Sequence, residues 1–324
     1  MKSLTLEKIK SKLTYKEVPI PDASGNNRLI RLRAAAINHR DLYIQQGLYP
    51  GIKTPIILGS DGAGMTEDGQ EVIINPAFDW GDNPDFPDKS FTILGLPHNG
   101  TFAEYLSVPH KQIYPKPKHL SFEEAAALPL AGLTAYRALF TKGRIKAGQK
   151  VLISGVGGGV ALFAFQFALA LGAEVYVTSG SAEKRAKALE MGAKAAFDYK
   201  EADFGKRIGK ETGGIQLIID SAGGSGFAEL TKCAAPGARI VTYGGTRGKI
   251  NNLSPQIIFW KQLHILGTSM GNDTEFAAML EFVNQHQIHP VIDSAWKLSE
   301  GNKAFARMEQ GGQFGKVVLD MKRP

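Results

Sequence analysis

Short apolar runs alternate with helix-length segments through the middle of the chain. KVLIS (150–154), EVYVT (174–178), AAFD (195–198), QLIID (216–220), ARIVTY (238–243) and the dipeptide IL (265–266) read as strands. The stretches 158–171 and 182–191 read as helices, the second stopped by Gly192, and a further helix is expected over 274–285. A repeated strand–helix–strand rhythm implies a parallel sheet covered on both faces. The first third reads differently. Segments 29–35 and 71–75 are β-prone, and prolines and glycines cut their surroundings into short pieces. Residues 76–97, rich in Pro, Gly, Asn and Asp, predict a long surface loop. Ser121 with Glu124 has capping-box spacing and opens a helix. Beyond 285 the chain returns to short segments and ends in a strand over 316–320. The expected organisation is therefore discontinuous. Residues 1–121 and 288–324 form a mostly β domain, and residues 122–287 form a doubly wound α/β domain of the Rossmann kind.

Composition adds limits. The 324 residues are 43% hydrophobic and 21% charged, enough for two globular domains rather than a disordered chain. The net charge of +7 permits anionic partners, but no dense run of Lys or Arg occurs. Even KQIYPKPK (111–118) is broken by prolines and apolar residues, so nucleic acid is not the expected partner. Cys233 is the single cysteine, which excludes an intrachain disulfide and a cysteine-rich zinc site; its neighbours suggest a packed helix end. The start MKSLTLEKIKSK lacks the apolar core of a secretory signal. The longest apolar run, 160–173, is short of the ~20 residues that span a bilayer. A cytoplasmic protein without membrane contact is expected.

Directly after the strand VLIS comes GVGGGVA, which opens the apolar helix. Glycines there permit a sharp turn and close approach of a pyrophosphate, while the helix N-terminus offers unpaired N–H groups. Gly155 and Gly157 match the opening of G-x-G-x-x-G, with Val160 at the third glycine position. A shifted frame uses Gly158 and Ala161, so the turn 155–160, Gly159 included, is the candidate phosphate cradle. NAD sites place a carboxylate at the tip of the second strand, on the ribose 2′-hydroxyl. Here EVYVT runs into Ser179, Gly180 and Ser181, then Lys184 and Arg185. Hydroxyls and cations suit a 2′-phosphate, so NADPH is the expected cofactor, with Tyr199 closing over its adenosine end.

Several further segments occur in a telling order: INHRDLYIQQGLYP, ILGSDGAG, NGTFAEY, LPLAGLTAYRAL, the glycine turn itself, ILGTSMG and GGQFGKVVL. Together they resemble the medium-chain dehydrogenase/reductase superfamily, in the zinc-free, quinone-oxidoreductase-like branch that includes bacterial proteins called zinc-type alcohol dehydrogenase-like. The resemblance spans nearly the whole chain. It implies a GroES-like substrate domain built from both termini, a Rossmann domain between them, and a homodimer or tetramer. Zinc-dependent members carry a Cys ligand where this chain has Asn38 and a His where it has Ser60, the neighbouring acid surviving as Asp61. Their structural zinc lobe with its four cysteines is missing, so no metal is expected.

Without a Lewis acid, hydride transfer to an already electrophilic acceptor is the easier chemistry. Quinones and α,β-unsaturated carbonyls need orientation and a hydrogen bond to the developing oxyanion. The resemblance implies Asn38, Tyr43 and Tyr49 as polar groups of that site, with Tyr49 or water returning the proton. It places Thr134, Gly244 and Gly245 near the nicotinamide. Thr268 and Ser269, with Gly315 and Lys316, complete the cofactor groove. The loop carrying Phe78, Trp80 and Asp82 is expected to roof the substrate pocket, and the apolar segment 257–267 to pair between subunits of a homodimer. The competing readings are an NADPH-binding sensory or RNA-binding protein with negligible turnover, and a zinc alcohol dehydrogenase.

Overall fold

The computed structural model describes residues 1–321. Its contacts divide the chain into two compact units. One is Met1–Leu133 joined by the segment that begins at Gly271, and the other is Thr134–Met270. The composition-based boundaries at 121/122 and 287/288 mark where helices begin and end. By packing, the helices Phe122–Ala127 and Asp273–Gln285 belong with the first unit.

The first unit is built around the strand Asn27–Ala36. Its first half alternates between buried and accessible residues, and its last three, Ala34, Ala35 and Ala36, are all fully buried. The accessible half pairs antiparallel with Tyr105–Pro109. The alanine end pairs antiparallel with Asp61–Thr66 on one side and Lys316–Asp320 on the other, with Ala36 opposite both Asp61 and Val318. Antiparallel neighbours begin where the central strand ends. Asp61 and Lys316 therefore sit at the same end of the sheet as Asn38, two residues past the alanines. The capping box at Ser121 forms, with Glu124 N donating to Ser121 Oγ at 3.1 Å and Ser121 N to Glu124 Oε2 at 2.8 Å.

Residues 76–97 depart from a plain surface loop. The strands Ala77–Phe78 and Thr92–Ile93 pair antiparallel. Trp80 is buried and stands edge-on to Phe91 at 5.1 Å, and Phe78 joins Ile30, Leu32, Val72 and Ile74 in a core cluster. These two aromatic side chains stabilise their own hairpin and the sheet beneath it.

The second unit is the six-stranded parallel sheet that the apolar runs predict. Its spatial order is Ala195–Phe197, Glu174–Thr178, Lys150–Ile153, Ile215–Asp220, Ala234–Thr242, His264–Gly267. The chain winds outward in one direction from Lys150–Ile153, then returns and winds the other way. That reversal makes the C-terminal end of this strand the switch point where open α/β sheets bind ligands. Helix Gly159–Ala170 is buried on most of its surface, which accounts for its continuous apolar run. Among the described residues no helix is long and apolar enough to cross a membrane. Cys233 donates to the Leu230 carbonyl inside the core, and burial pushes its thiol up to about 12, so it is inert at neutral pH.

Helices Phe204–Thr212 and Phe227–Cys233 approach closely because Gly205 has no side chain. A Cβ there would stand 2.0 Å from the Glu229 carbonyl oxygen. Gly205→Ala must push the helices apart, and it is expected to cost about 1–3 kcal/mol. The readout is the urea midpoint, which should fall without a change in slope.

Candidate active site

In the first unit, the end of the Asn27–Ala36 strand turns into helix His39–Gln45 with Asn38 as N-cap. The backbone does the capping: Asn38 N donates to Asp41 Oδ2 at 2.8 Å. The Asn38 side chain is engaged elsewhere. Its Nδ2 donates to Asp61 Oδ2 at 2.9 Å, and its Oδ1 accepts from Lys316 Nζ at 2.6 Å. Lys316 also donates to Asp61 Oδ2 at 3.0 Å. The other oxygen of Asp61 accepts the backbone N–H of Leu130 at 2.8 Å, in the first turn of helix Pro129–Tyr136. A carboxylate at the first turn of a helix suits the helix dipole. Asn38, Asp61 and Lys316 are 7%, 0% and 3% exposed.

Beside this trio, Arg40 Nη1 donates to Ser60 Oγ at 2.7 Å and to the Leu94 carbonyl at 2.9 Å, and Ser60 donates to the same carbonyl at 2.7 Å. The Arg40 guanidinium lies 5.5 Å from the centre of the Tyr49 ring, which packs on the apolar core. Tyr43 is one turn along its helix and faces the His39 ring at 6.4 Å. The structure thus joins Asn38 to Lys316 and sets Tyr49 against Arg40. Arg40 carries no catalytic signal in the sequence, because its partners are a serine 20 residues away and a carbonyl 54 residues away. Desolvation by the protein around it, and then the Lys316 ammonium, hold the His39 ring below its ordinary range.

The second unit carries the glycine turn. Gly155 and Gly157 have φ of +70° and +132°, which side chains disfavour, whereas Gly158 has φ of −77° and is the N-cap of the helix. Gly158 has no side chain to cap that end, so the first-turn N–H groups of Gly159 and Val160 are left to a ligand or to water. A Cβ on Gly157 would meet Lys184 Cδ at 2.8 Å and Nζ at 3.3 Å, so the Lys184 side chain lies along the turn. Ser181 caps its helix by accepting from Lys184 N at 3.3 Å, and Ser179 Oγ accepts from Ser181 N at 3.3 Å. Arg185 is committed to Asp198 at 2.9 Å and to the Ser179 carbonyl at 2.7 Å. Two cations absent from the sequence reading come in instead. Lys200 lies with Tyr199 against Gly180, and the Arg247 guanidinium is 4.9 Å from the centre of the Tyr199 ring.

The remaining predicted positions have mixed settings. Asp220, which was not among them, holds the strand ends together, accepting from Ser154 Oγ at 2.7 Å and Gly223 N at 2.9 Å. A Cβ on Gly244 would be 2.3 Å from the Ser221 carbonyl, so close packing demands that glycine, while Gly245 is open. Thr134 is buried, Ser269 is exposed, and the buried Thr268 Oγ1 has no hydrogen-bond partner. Gly315, at φ +123°, lets its strand approach the Val291 carbonyl, where a Cβ would be at 2.5 Å.

Residues 24–118 match the family model of the alcohol dehydrogenase GroES-like domain, and residues 159–285 match that of zinc-binding dehydrogenases. A zinc-type alcohol dehydrogenase-like protein of Leptosphaeria maculans is 35% identical, covering 98% of this chain and 99% of its own. Mouse quinone oxidoreductase is 32% identical, over 94% and 92% of the two chains. The solved structure of an NAD-dependent alcohol dehydrogenase superposes with a TM-score of 0.93 at 32% identity, covering 99% of this chain and all of that one. The chain belongs to the medium-chain dehydrogenase/reductase superfamily.

Within that superfamily it falls in the quinone-oxidoreductase-like branch, and it is an oxidoreductase with a GroES-like and a Rossmann domain. Membership implies a nicotinamide cofactor. The second unit fits one: two glycines of positive φ precede an uncapped helix N-terminus, and an orphaned threonine hydroxyl lies on the strand-end segment of the same unit. A zinc ion at the family's metal position does not fit. Asn38 Oδ1 and Asp61 already receive an ammonium, Ser60 is held by a guanidinium, and a dication would meet both charges. Among the described residues no group of three or more His, Cys, Asp or Glu could hold a metal.

Asp41 of this dehydrogenase/reductase is fully buried, with Oδ1 unpartnered, and burial raises its carboxyl from 3.8 to about 6. The folded state then holds the proton more tightly than the unfolded chain does. Stability should fall as pH rises from about 4 through about 6, by about 2–3 kcal/mol, and level off above. Asp41→Asn should flatten that slope in melting curves taken across the interval, and an unchanged slope would contradict it.

Proposed function

We propose that this oxidoreductase is a zinc-independent, NADPH-dependent reductase of quinones or α,β-unsaturated carbonyls. One observation carries the reading: an ammonium, Lys316, is hydrogen-bonded to Asn38 and Asp61, two of the three residues that match the family's metal position. A hydroxyl substrate would have no metal to acidify it there, whereas an electron-poor acceptor needs only orientation and a donor for its oxygen. When bound, the nicotinamide supplies the hydride. Asn38 Nδ2 keeps one hydrogen beyond the bond to Asp61, and it is the donor to the oxygen on which charge develops. Tyr43 lines the site, and Tyr49 or water returns the proton.

Preference for NADPH is supported by the tip of the Glu174–Thr178 strand. No carboxylate directly follows that strand, the nearby Asp198 is engaged by Arg185, and the Lys184 side chain lies along the glycine turn with Ser179 and Ser181 close in sequence. Thr134, Gly244, Gly245, Thr268 and Ser269 would lie along the bound nucleotide. The protein would work in the cytoplasm as a homodimer. Its sheet ends in the edge strand His264–Gly267, and Phe259 and Trp260, on the preceding helix, are 52% and 79% exposed.

Oxidation of NADPH followed at 340 nm against quinones, enones and aldehydes, with NADH in parallel, tests the reading. Turnover of quinones or enones, faster with NADPH, is expected. Lys184→Ala should weaken NADPH about 10- to 100-fold and leave NADH almost unchanged. Tight nucleotide binding with no turnover of any acceptor would favour a sensory or RNA-binding role, and a salt-sensitive shift with RNA would decide between those. Light scattering should give twice the chain mass, and Trp260→Glu should shift it towards the monomer.

A further inference from the structure

An asparagine amide has one end that donates and one that accepts, and its neighbours decide which way round it sits. At Asn38 the neighbours leave no choice. Lysine only donates, and Lys316 Nζ is 2.6 Å from Oδ1. An ionised carboxylate only accepts, and Asp61 Oδ2 is 2.9 Å from Nδ2. Turning the amide over would set an N–H against an ammonium and an oxygen against a carboxylate. The pair is itself immobile: Lys316 and Asp61 bond each other at 3.0 Å, and Asp61 is anchored by Leu130 N at 2.8 Å.

The geometry points to Lys316 and Asp61 as a positioning pair that locks Asn38 as a hydrogen-bond donor towards the substrate oxygen, and so fits the site to a carbonyl. The inference rests on the proposed reduction of quinones or enones and adds what makes Asn38 competent for it. A cation on Oδ1 and an anion on one N–H polarise the amide in the same sense. That favours the resonance form with positive charge on nitrogen and strengthens the N–H that remains. Neither Lys316 nor Asp61 needs to touch the substrate. Both oxygens of Asp61 are taken, so it is not available as a base for a hydroxyl proton. The role also separates Lys316 from the cofactor groove in which the family resemblance sets it.

The test is a cycle between Asn38→Ala and the neutral pair Lys316→Met/Asp61→Asn, in which amides face each other and the orientation is no longer fixed. In the neutral pair kcat should fall about tenfold or more with the Kd for NADPH within about twofold of wild type, and adding Asn38→Ala should cost little further. Lys316→Arg keeps donors on Oδ1 and should restore most of kcat. Should the neutral pair not fold, the near-isosteric Asn38→Leu removes the donor without adding charge beside the ion pair, and it should lose as much kcat as Asn38→Ala. The role is overturned by a neutral pair with wild-type kcat, by a loss seen only in the Kd for NADPH, by Asn38→Ala costing the same in both backgrounds, or by a fully active Asn38→Leu. A wild-type enzyme that reduces no quinone or enone overturns the functional reading itself, and this role with it.

Discussion

A buried ammonium must find acceptors for its hydrogens, and in this chain that demand ties the first unit together. Lys316 meets it with Asn38 and Asp61, from three segments that are remote in sequence: 278 residues separate it from Asn38 and 255 from Asp61. The sheet register makes the meeting possible, since the two strands that flank the alanine end of Asn27–Ala36 both start there. Small side chains at Ala34, Ala35 and Ala36 keep that end closely packed. Removing one partner from a buried ion pair costs about 3–5 kcal/mol, because the other charge is then stranded. The trio is therefore a constraint on the fold and a feature of the site at once.

The same logic explains why the residues at the metal position are satisfied without a metal. A dication and an ammonium answer one electrostatic problem, the presence of a buried carboxylate, in different ways. A dication also polarises a bound oxygen directly. The ammonium here gives two of its three hydrogens to Asn38 and Asp61, and on the proposed reading what it passes on to a substrate is transmitted through the Asn38 amide. That is a weaker effect, suited to an acceptor that is already electrophilic.

Much of the second unit was legible because its signals are local. Strand Glu174–Thr178 follows from five residues, and the turn at Gly155 and Gly157 from its position between a strand and a helix. Two glycine frames were open, and positive φ falls on Gly155 and Gly157, the opening glycines of the first. The first unit was less legible because its chemistry is assembled across long separations. Nothing near Arg40 announces Ser60 and the Leu94 carbonyl, and nothing near residue 316 announces Asn38. Phe78 and Trp80 show a related limit: aromatic residues in a Pro- and Gly-rich loop suggest a roof over a pocket, yet they are buried in a hairpin and its sheet. Arg185 shows a third. A cation beside the strand tip was readable, but its engagement with Asp198, 13 residues on, was not.

The two candidate subsites also differ in how they hold a ligand. In the second unit the turn offers backbone: two glycines that no other residue replaces without strain, and helix N–H groups left uncapped. Backbone donors serve a phosphate well, because any phosphate accepts from any N–H, and on the proposed reading selectivity is left to side chains at the rim such as Ser179 and Lys184. In the first unit the proposed recognising group is the Asn38 side chain, and an amide can be read in two senses. Buried charge of opposite sign on its two ends removes that freedom. On the proposed reading, Asn38 meets a substrate oxygen as a donor because of electrostatics set during folding, before any ligand arrives.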